Sequence, residues 1–270
     1  MKGLLGFALA EIPVLPAGGT MPAMPDPAIA EPLRESDPDR FLALLAAPPS
    51  ARGVLASLYA FNLEVARAPW VTEEPMIAEM RLQWWRDALG EIGAGDKVRS
   101  HPVTLALAEV LDAEGAEALD RLVAARRFDI YREPHADGAA FDAYLDATAG
   151  DLHWTAARLL GAAREDEVRK VARASGLANL FLAVPDLEAR GRMPLVDGRP
   201  EAVAGLAREA LAGLRRARPC RAARPALLAT WRAGGILARA AKDPARVAAG
   251  ALEGSDFARR GGLLLRSLGL

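Results

Sequence analysis

LYAFNLEVARAPW, residues 58–70, is the stretch from which the rest of this sequence is read. At about 100° per residue, Val54, Leu58, Phe61 and Val65 share one side of a helix over 50–67. Leu55, Tyr59 and Ala66 continue that arc, and Asn62 falls inside it. An uncharged amide in an apolar arc is either a hydrogen-bonded core group or part of a cavity wall. Glu64 lies near the opposite edge, within i,i+3 reach of Arg67, the spacing of a weak surface pair.

The next helix, over 73–91, has a sharper pattern. Glu79, Gln83, Arg86 and Asp87 cluster on one side, and Ile77, Met80, Trp84, Trp85, Ala88 and Leu89 take the other. Arg81 projects from that apolar arc. A buried arginine costs several kcal/mol unless paired, so Arg81 either runs its stem past the tryptophans or meets an acid such as Glu64. The expectation is a buried Arg81 with an acidic partner.

Outward from these two helices the same character holds. The chain has 270 residues, is 51% hydrophobic and only 6% aromatic, and carries a formal charge of -1. Alanine and leucine dominate and strand-like alternation is scarce, so an all-α fold is expected. Asp37 and Asp243, each followed by proline, together with Ser100, Asp137 and Ser255, mark helix starts. Helices are placed at 38–47, 50–67, 73–91, 101–112, 115–131, 138–161, 164–184, 200–217, 222–240 and 255–268. Short connectors predict one domain over 36–270. The proline- and glycine-rich opening predicts a disordered leader over 1–35, with Met21 and Met24 as alternative starts. The apolar run at the N-terminus is interrupted by Glu11 and makes a poor signal peptide.

Charge and cysteine content narrow the function classes. Residues 205–270 hold 13 Lys and Arg against 4 Asp and Glu, which reads as solvated helix faces or as a surface for anionic lipid or an acidic partner. No aromatic platform accompanies these charges, so nucleic acid is not an expected partner. Cys220 is the single cysteine and excludes an internal disulfide, in keeping with a reducing cytoplasm. No segment offers the roughly 18 uninterrupted apolar residues of a spanning helix.

The order and spacing of several motifs resemble those of the squalene/phytoene synthase family. YAFNLEVARAPW resembles that family's Y-A-F-C-R-x-x-D-D-x-x-D helix, keeping Tyr59, Ala60 and Phe61 but placing Ala66, Arg67 and Trp70 where acids stand. YLDATAGDLH resembles Y-C-x-x-V-A-G-x-V-G through Tyr144, Ala149 and Gly150. GLANLFLAVPDL followed by GRMP resembles the second aspartate-rich helix through Asn179, Gly191, Arg192 and Pro194, with Ala183 and Leu187 at the acidic positions and Asp186 one residue out of register.

The resemblance implies an isoprenoid synthase type of helical bundle around a central cavity. It places Tyr59, Phe61, Asn62, Ala66, Tyr144, Gly150, Gly176, Asn179 and Ala183 on the cavity wall, which is expected to be mostly uncharged. Arg67, Arg81, Arg190 and Arg192 are candidate anion-binding residues. In the family, two carboxylate clusters hold Mg²⁺ against a prenyl diphosphate; here no metal ligand and no catalytic residue is expected.

One branch of the family, related to the mitochondrial assembly factor for respiratory complex I, also resembles this chain in YAFN-x-E-x-A-R and RLQWWRDAL. Three readings follow. The first is an inactive assembly or interaction factor with a protein partner at the membrane surface, cytoplasmic and peripheral on the inner membrane, needing no cofactor. The second is a pocket protein for a prenyl chain or another lipid. The third is an active prenyltransferase, and only that one requires Mg²⁺.

Overall fold

A computed structural model describes residues 25–267, without the side chains of residues 256–260. Among the described residues there are helices and turns and no strand. Many of the helices start by one device, a proline in the first turn. It opens α1 (Pro27–Ser36), α2 (Pro38–Ala46), α3 (Pro49–Arg67), α4 (Pro75–Ala94) and α5 (Pro102–Ala108). Proline's fixed φ suits that position, and its missing N–H would have no partner there in any case. Asp26 and Asp37 add side-chain caps, each accepting a backbone N–H at 2.9 Å. Asp112 and Asp137 do the same for α6 (Ala113–Arg126) and α7 (Gly138–Leu145).

The remaining helices are α8 (Asp151–Leu159), α9 (Glu165–Ala189), α10 (Pro200–Arg216), α11 (Arg224–Leu227), α12 (Ala233–Lys242), α13 (Ala245–Ala248) and α14 (Asp256–Ser267). Two apolar cores organise them. One is centred on α3, where Leu55, Leu58, Tyr59 and Phe61 meet Leu33 of α1, Leu44 of α2, Leu82 and Trp85 of α4, and Leu119 and Leu122 of α6. The other joins Phe181 and Val184 of α9 to Phe141 of α7, Val203 of α10 and Ile236 and Leu237 of α12. A bidentate Arg86–Asp120 pair, at 2.7 and 2.8 Å, ties α4 to α6.

Several boundaries differ from expectation. The leader expected over 1–35 lies outside the described residues up to position 24, but 27–36 is helix α1, with Ile29 and Leu33 buried. Asp26–Pro27 is the same start signal as Asp37–Pro38. The helix expected over 138–161 carries a π turn at Asp146–Gly150 between α7 and α8. The helix expected over 222–240 is broken into α11, a 3-10 turn and α12. α9 runs through Pro185 rather than stopping before it. The lost hydrogen bond there is offset by burial of Phe181 and Val184 beside it.

The buried face of α4 also differs from expectation. Ala78, Leu82, Trp85, Ala88, Leu89 and Ile92 point inward, whereas Met76, Ile77 and Met80 are exposed at 74%, 42% and 67%. Arg81 is on that outward side. It is exposed and has neither Glu64 nor any other acid as an ion-pair partner among the described residues. The expectation of a buried, paired Arg81 is therefore wrong: its arc faces solvent, so no desolvation penalty calls for a partner.

Candidate functional site

A cavity of about 470 Å³ lies between the two cores, walled by α3, α9 and the turns beside them. On α3 the spacing of four residues puts Asn62 and Ala66 on its wall. Phe61 sits about 100° away around the helix and packs edge-on against Trp85, with ring centroids 5.5 Å apart. Tyr59 is wholly buried in the core and its hydroxyl donates to the Ala226 carbonyl at 3.4 Å. Neither Tyr59 nor Phe61 lines the cavity, contrary to expectation.

On α9 one stripe of Ser175, Gly176, Asn179, Leu180, Ala183 and Leu187 faces inward. Asp186 is exposed and outside the cavity wall, as a one-residue shift around a helix requires. Past the end of α9, Gly191 takes a φ of 73°, a conformation open to glycine. The Arg192 amide then returns to the Leu187 carbonyl at 3.0 Å, a closure that turns the Arg192 side chain back over the cavity.

Tyr144, Thr148 and Ala149 bring the π turn to the wall, but Gly150 does not reach it. A Cβ at Gly150 would stand 2.8 Å from Arg169 Nη1 and from Asp146 Oδ1. Arg169 is held at 3.0 Å by Asp146, at 2.7 Å by the buried Asp151 and at 2.6 Å by Glu165. Gly150 thus makes room for a structural ion-pair network. Gly150→Ala is expected to destabilise the fold by about 1–3 kcal/mol through overpacking, despite alanine's better helix propensity. Urea denaturation checks this; a variant as stable as the parent would mean that the network yields freely.

Most residues of the cavity wall are uncharged, as expected, but charged side chains gather on it as well. At one end stand Asp37, Asp39, Arg40 and Arg232, and at the other Arg126, Asp129, Glu133 and Arg192. Asp37 with Arg40 and Arg126 with Asp129 are i,i+3 neighbours, whereas Arg232 reaches Asp39 only through the tertiary fold. Most are tied together. Asp37 holds Arg40 at 2.9 Å, and Arg232 bridges Asp39 and Glu253. Arg126 meets Asp129 at 2.9 Å and the Tyr144 hydroxyl at 2.8 Å, and that hydroxyl donates to Asp129 at 2.8 Å. Burial opposes the Arg126 charge, but Tyr144 and Asp129 outweigh it, so the guanidinium stays protonated. Burial raises the Tyr144 phenol well above its ordinary range. His135 stacks on Phe128 with centroids 4.0 Å apart, and burial lowers its pKa against the opposing pull of Asp129.

Arg192 is different. It donates to the backbone carbonyl of Tyr131 and, at 3.4 Å, to that of Ile130, and lies 4.6 Å over the Trp70 ring. Among the described residues it has no carboxylate partner. Burial lowers its pKa, Asp129 resists, and the like charges of Arg132 and Arg190 lower it further. Arg190 lies 5.1 Å over the same indole. Arg67 and Arg81 are exposed and outside the cavity wall.

The cavity does not suit a pair of divalent metals. Ala66, Ala183 and Leu187 offer no oxygen, three of its four carboxylates are engaged by arginines, and among the described residues no group of three or more His, Cys, Asp or Glu is placed to hold an ion.

Comparison with known proteins places the fold. A crystal structure of a dehydrosqualene synthase in complex with ligand superposes with a TM-score of 0.68 at 15% identity, covering 89% of this chain and 94% of that one. The squalene synthase HpnC from Alicyclobacillus acidocaldarius superposes with a TM-score of 0.55 at 18% identity, covering 89% and 91%. At such identities the likeness speaks to the isoprenoid synthase type of helical fold. A NADH dehydrogenase (ubiquinone) complex I, assembly factor 6 homolog from Dictyostelium discoideum is 32% identical over 84 residues, 31% of this chain and 23% of that relative's length. Residues 33–197, more than half of the chain, match the squalene/phytoene synthase family profile, and the chain belongs to that family.

Proposed function

We propose that this chain is a non-catalytic member of its family that serves as an assembly or interaction factor for a respiratory membrane complex. The observation that carries this reading is the cavity wall itself: the frame is kept, while Ala66, Ala183 and Leu187 stand where acids would grip metal. The name of the Dictyostelium relative supports the assembly role. So does the outward stripe of Met76, Ile77 and Met80 on α4, since methionine is enriched in protein interfaces and adapts its shape to a partner.

The partner is met at the membrane surface. No helix among the described residues is long and apolar enough to cross a bilayer, so the contact is made from outside the hydrocarbon. A strain lacking the chain is expected to lose one respiratory complex on native gels and to accumulate its subassemblies. The parent gene restores the complex, and Met76→Glu combined with Met80→Glu does not, although the variant protein accumulates to the parental level. An unchanged set of respiratory complexes in the deletion strain overturns the proposal.

A further inference from the structure

We infer that the part of the bundle formed by the close of α10, the turn after it and the last turn of α14 lies against an anionic phospholipid surface. The inference rests on the reading that the partner is met at a membrane, and it names the face of the chain that meets it.

The first observation is a set of arginines left without acids. Arg208, Arg215 and Arg216 of α10, Arg218 and Arg221 in the turn after it and Arg224 at the start of α11 are exposed. Among the described residues none of the six has an ion pair, in a chain where Arg86, Arg99, Arg158 and Arg169 are all held by carboxylates. Acids do reach this end of the bundle, on the first turn of α9, but they are already engaged. Glu165 is held by Arg169 at 2.6 Å and Asp166 by Lys170 at 3.3 Å. Glu167 is held by Lys170 at 2.9 Å and also accepts the Arg218 backbone N–H. On α10 itself Glu209 borders the groove toward α7 and α9, one helical step of about 100° from Arg208.

The second observation is apolar surface among those charges. Spacings of three and four put Arg208, Leu211 and Arg215 on one stripe of α10. Leu211, Leu214 and Pro219 line an open depression that is bordered by Arg215 and by Arg266 of α14. Just before Arg266, Leu264 and Leu265 are 61% and 53% exposed. Among the described residues beyond Val196 no other large apolar side chain is left so exposed. Leucines beside guanidiniums suit a bilayer interface: the guanidiniums draw in lipid phosphates, and the leucines enter the boundary between headgroups and acyl chains.

The spread of the charges favours a lipid surface over an acidic protein. Arg215 and Arg216 border different depressions, and Arg208, Arg218, Arg221 and Arg224 border neither. No one groove gathers them, as a single acidic segment would require, whereas a layer of phosphates meets them together. With no helix among the described residues able to cross a bilayer, charge and leucine supply the two signals that hold a protein at a membrane surface.

The test is flotation of the full chain with vesicles of phosphatidylcholine, alone or with phosphatidylglycerol as about a third of the lipid, at low and at high salt. Binding to the anionic vesicles is expected to be about tenfold tighter or more, and to weaken as salt rises. Arg215→Gln, Arg218→Gln and Arg221→Gln combined should weaken it about a hundredfold, roughly fivefold for each charge. Leu264→Gln with Leu265→Gln should weaken it about tenfold at either salt. All five positions are exposed, so the variants keep the parental fold, which urea melts check. Arg67→Gln with Arg81→Gln removes exposed charge elsewhere and should leave binding unchanged. Equal affinity for the two kinds of vesicle, or binding undiminished in the triple arginine variant, overturns the inference. No binding to either kind also overturns it; if the triple variant is then still lost from the native membrane fraction, the arginines serve an acidic protein. Anionic binding as expected, in a strain whose respiratory complexes survive deletion of the chain, sinks the assembly reading alone.

Discussion

No diphosphate is released above background when the purified protein is given farnesyl or geranylgeranyl diphosphate with Mg²⁺ or Mn²⁺: that is the expected result, and its cause is electrostatic. A departing diphosphate gathers several negative charges, which must be stabilised more strongly in the transition state than in the bound substrate. Hard cations held by facing carboxylates can do this. Here the facing positions are Ala66 on one helix and Ala183 and Leu187 on another. Arg192 would bind the anion, but its attachment to the Tyr131 and Ile130 carbonyls fixes it equally for substrate and transition state. Uniform binding leaves the chemical step unaided. Ala66→Asp combined with Ala183→Asp should restore no turnover, because Arg67 and Leu187 leave each cluster incomplete. Diphosphate release that depends on metal in the unmodified protein would sink the non-catalytic reading.

The fold was legible where one physical signal dominated. Asp37–Pro38 fixes a helix start by itself, since the aspartate caps and the proline is already in helical φ. The identical signal at Asp26–Pro27 opens α1 inside a proline- and glycine-rich stretch whose composition reads as a disordered leader. Composition describes a window, whereas a cap acts at one position. α4 shows the opposite error. Its apolar residues fall on more than half of the helix circumference, so periodicity alone did not say which arc is buried. Tertiary packing chose the Leu82–Trp85–Leu89 arc and left Met76 and Met80 outside.

At the site, the residues placed by helical spacing came together: Asn62 with Ala66, and Gly176 with Asn179 and Ala183, all border one cavity. Tyr59, Phe61 and Gly150 did not, although they belong to the same motifs. Each serves the frame instead, through the Ala226 carbonyl, the Trp85 ring and the Arg169 network respectively. A motif therefore mixes wall and scaffold, and only the angle around the helix separates them. The charged ends were legible only in part. Asp37 with Arg40 and Arg126 with Asp129 are i,i+3 pairs, but the Tyr144 hydroxyl reaches both Arg126 and Asp129 through a tertiary contact that no spacing in the sequence encodes.

Acidification should cost this fold about 3 kcal/mol between pH 7.5 and pH 4 through His153 alone. His153 is 3% exposed, and its Nδ1 lies 3.1 Å from the Ala226 carbonyl that also receives the Tyr59 hydroxyl. Burial lowers its pKa to about 4, the charge of Arg40 adds to this, and the Ala226 carbonyl resists it. In the unfolded chain the same imidazole titrates near ~6.5. Between those values the unfolded state holds a proton that the native state refuses, so stability falls as pH falls through that window and levels off below it. Burial lowers the His135 pKa as well, which works in the same direction. His153→Asn separates the two, because its amide can keep a donor on the Ala226 carbonyl while removing the titration. Urea melts of both proteins across that range should show the parent losing about 3 kcal/mol more than the variant. Parallel pH profiles would mean that protonated His153 is accommodated in the fold, which the neighbouring Arg40 charge and the lack of exposure oppose. Arg40 also borders the cavity, so the strain of an imidazolium at His153 would fall on the helix end that holds Asp37 and Asp39 in place.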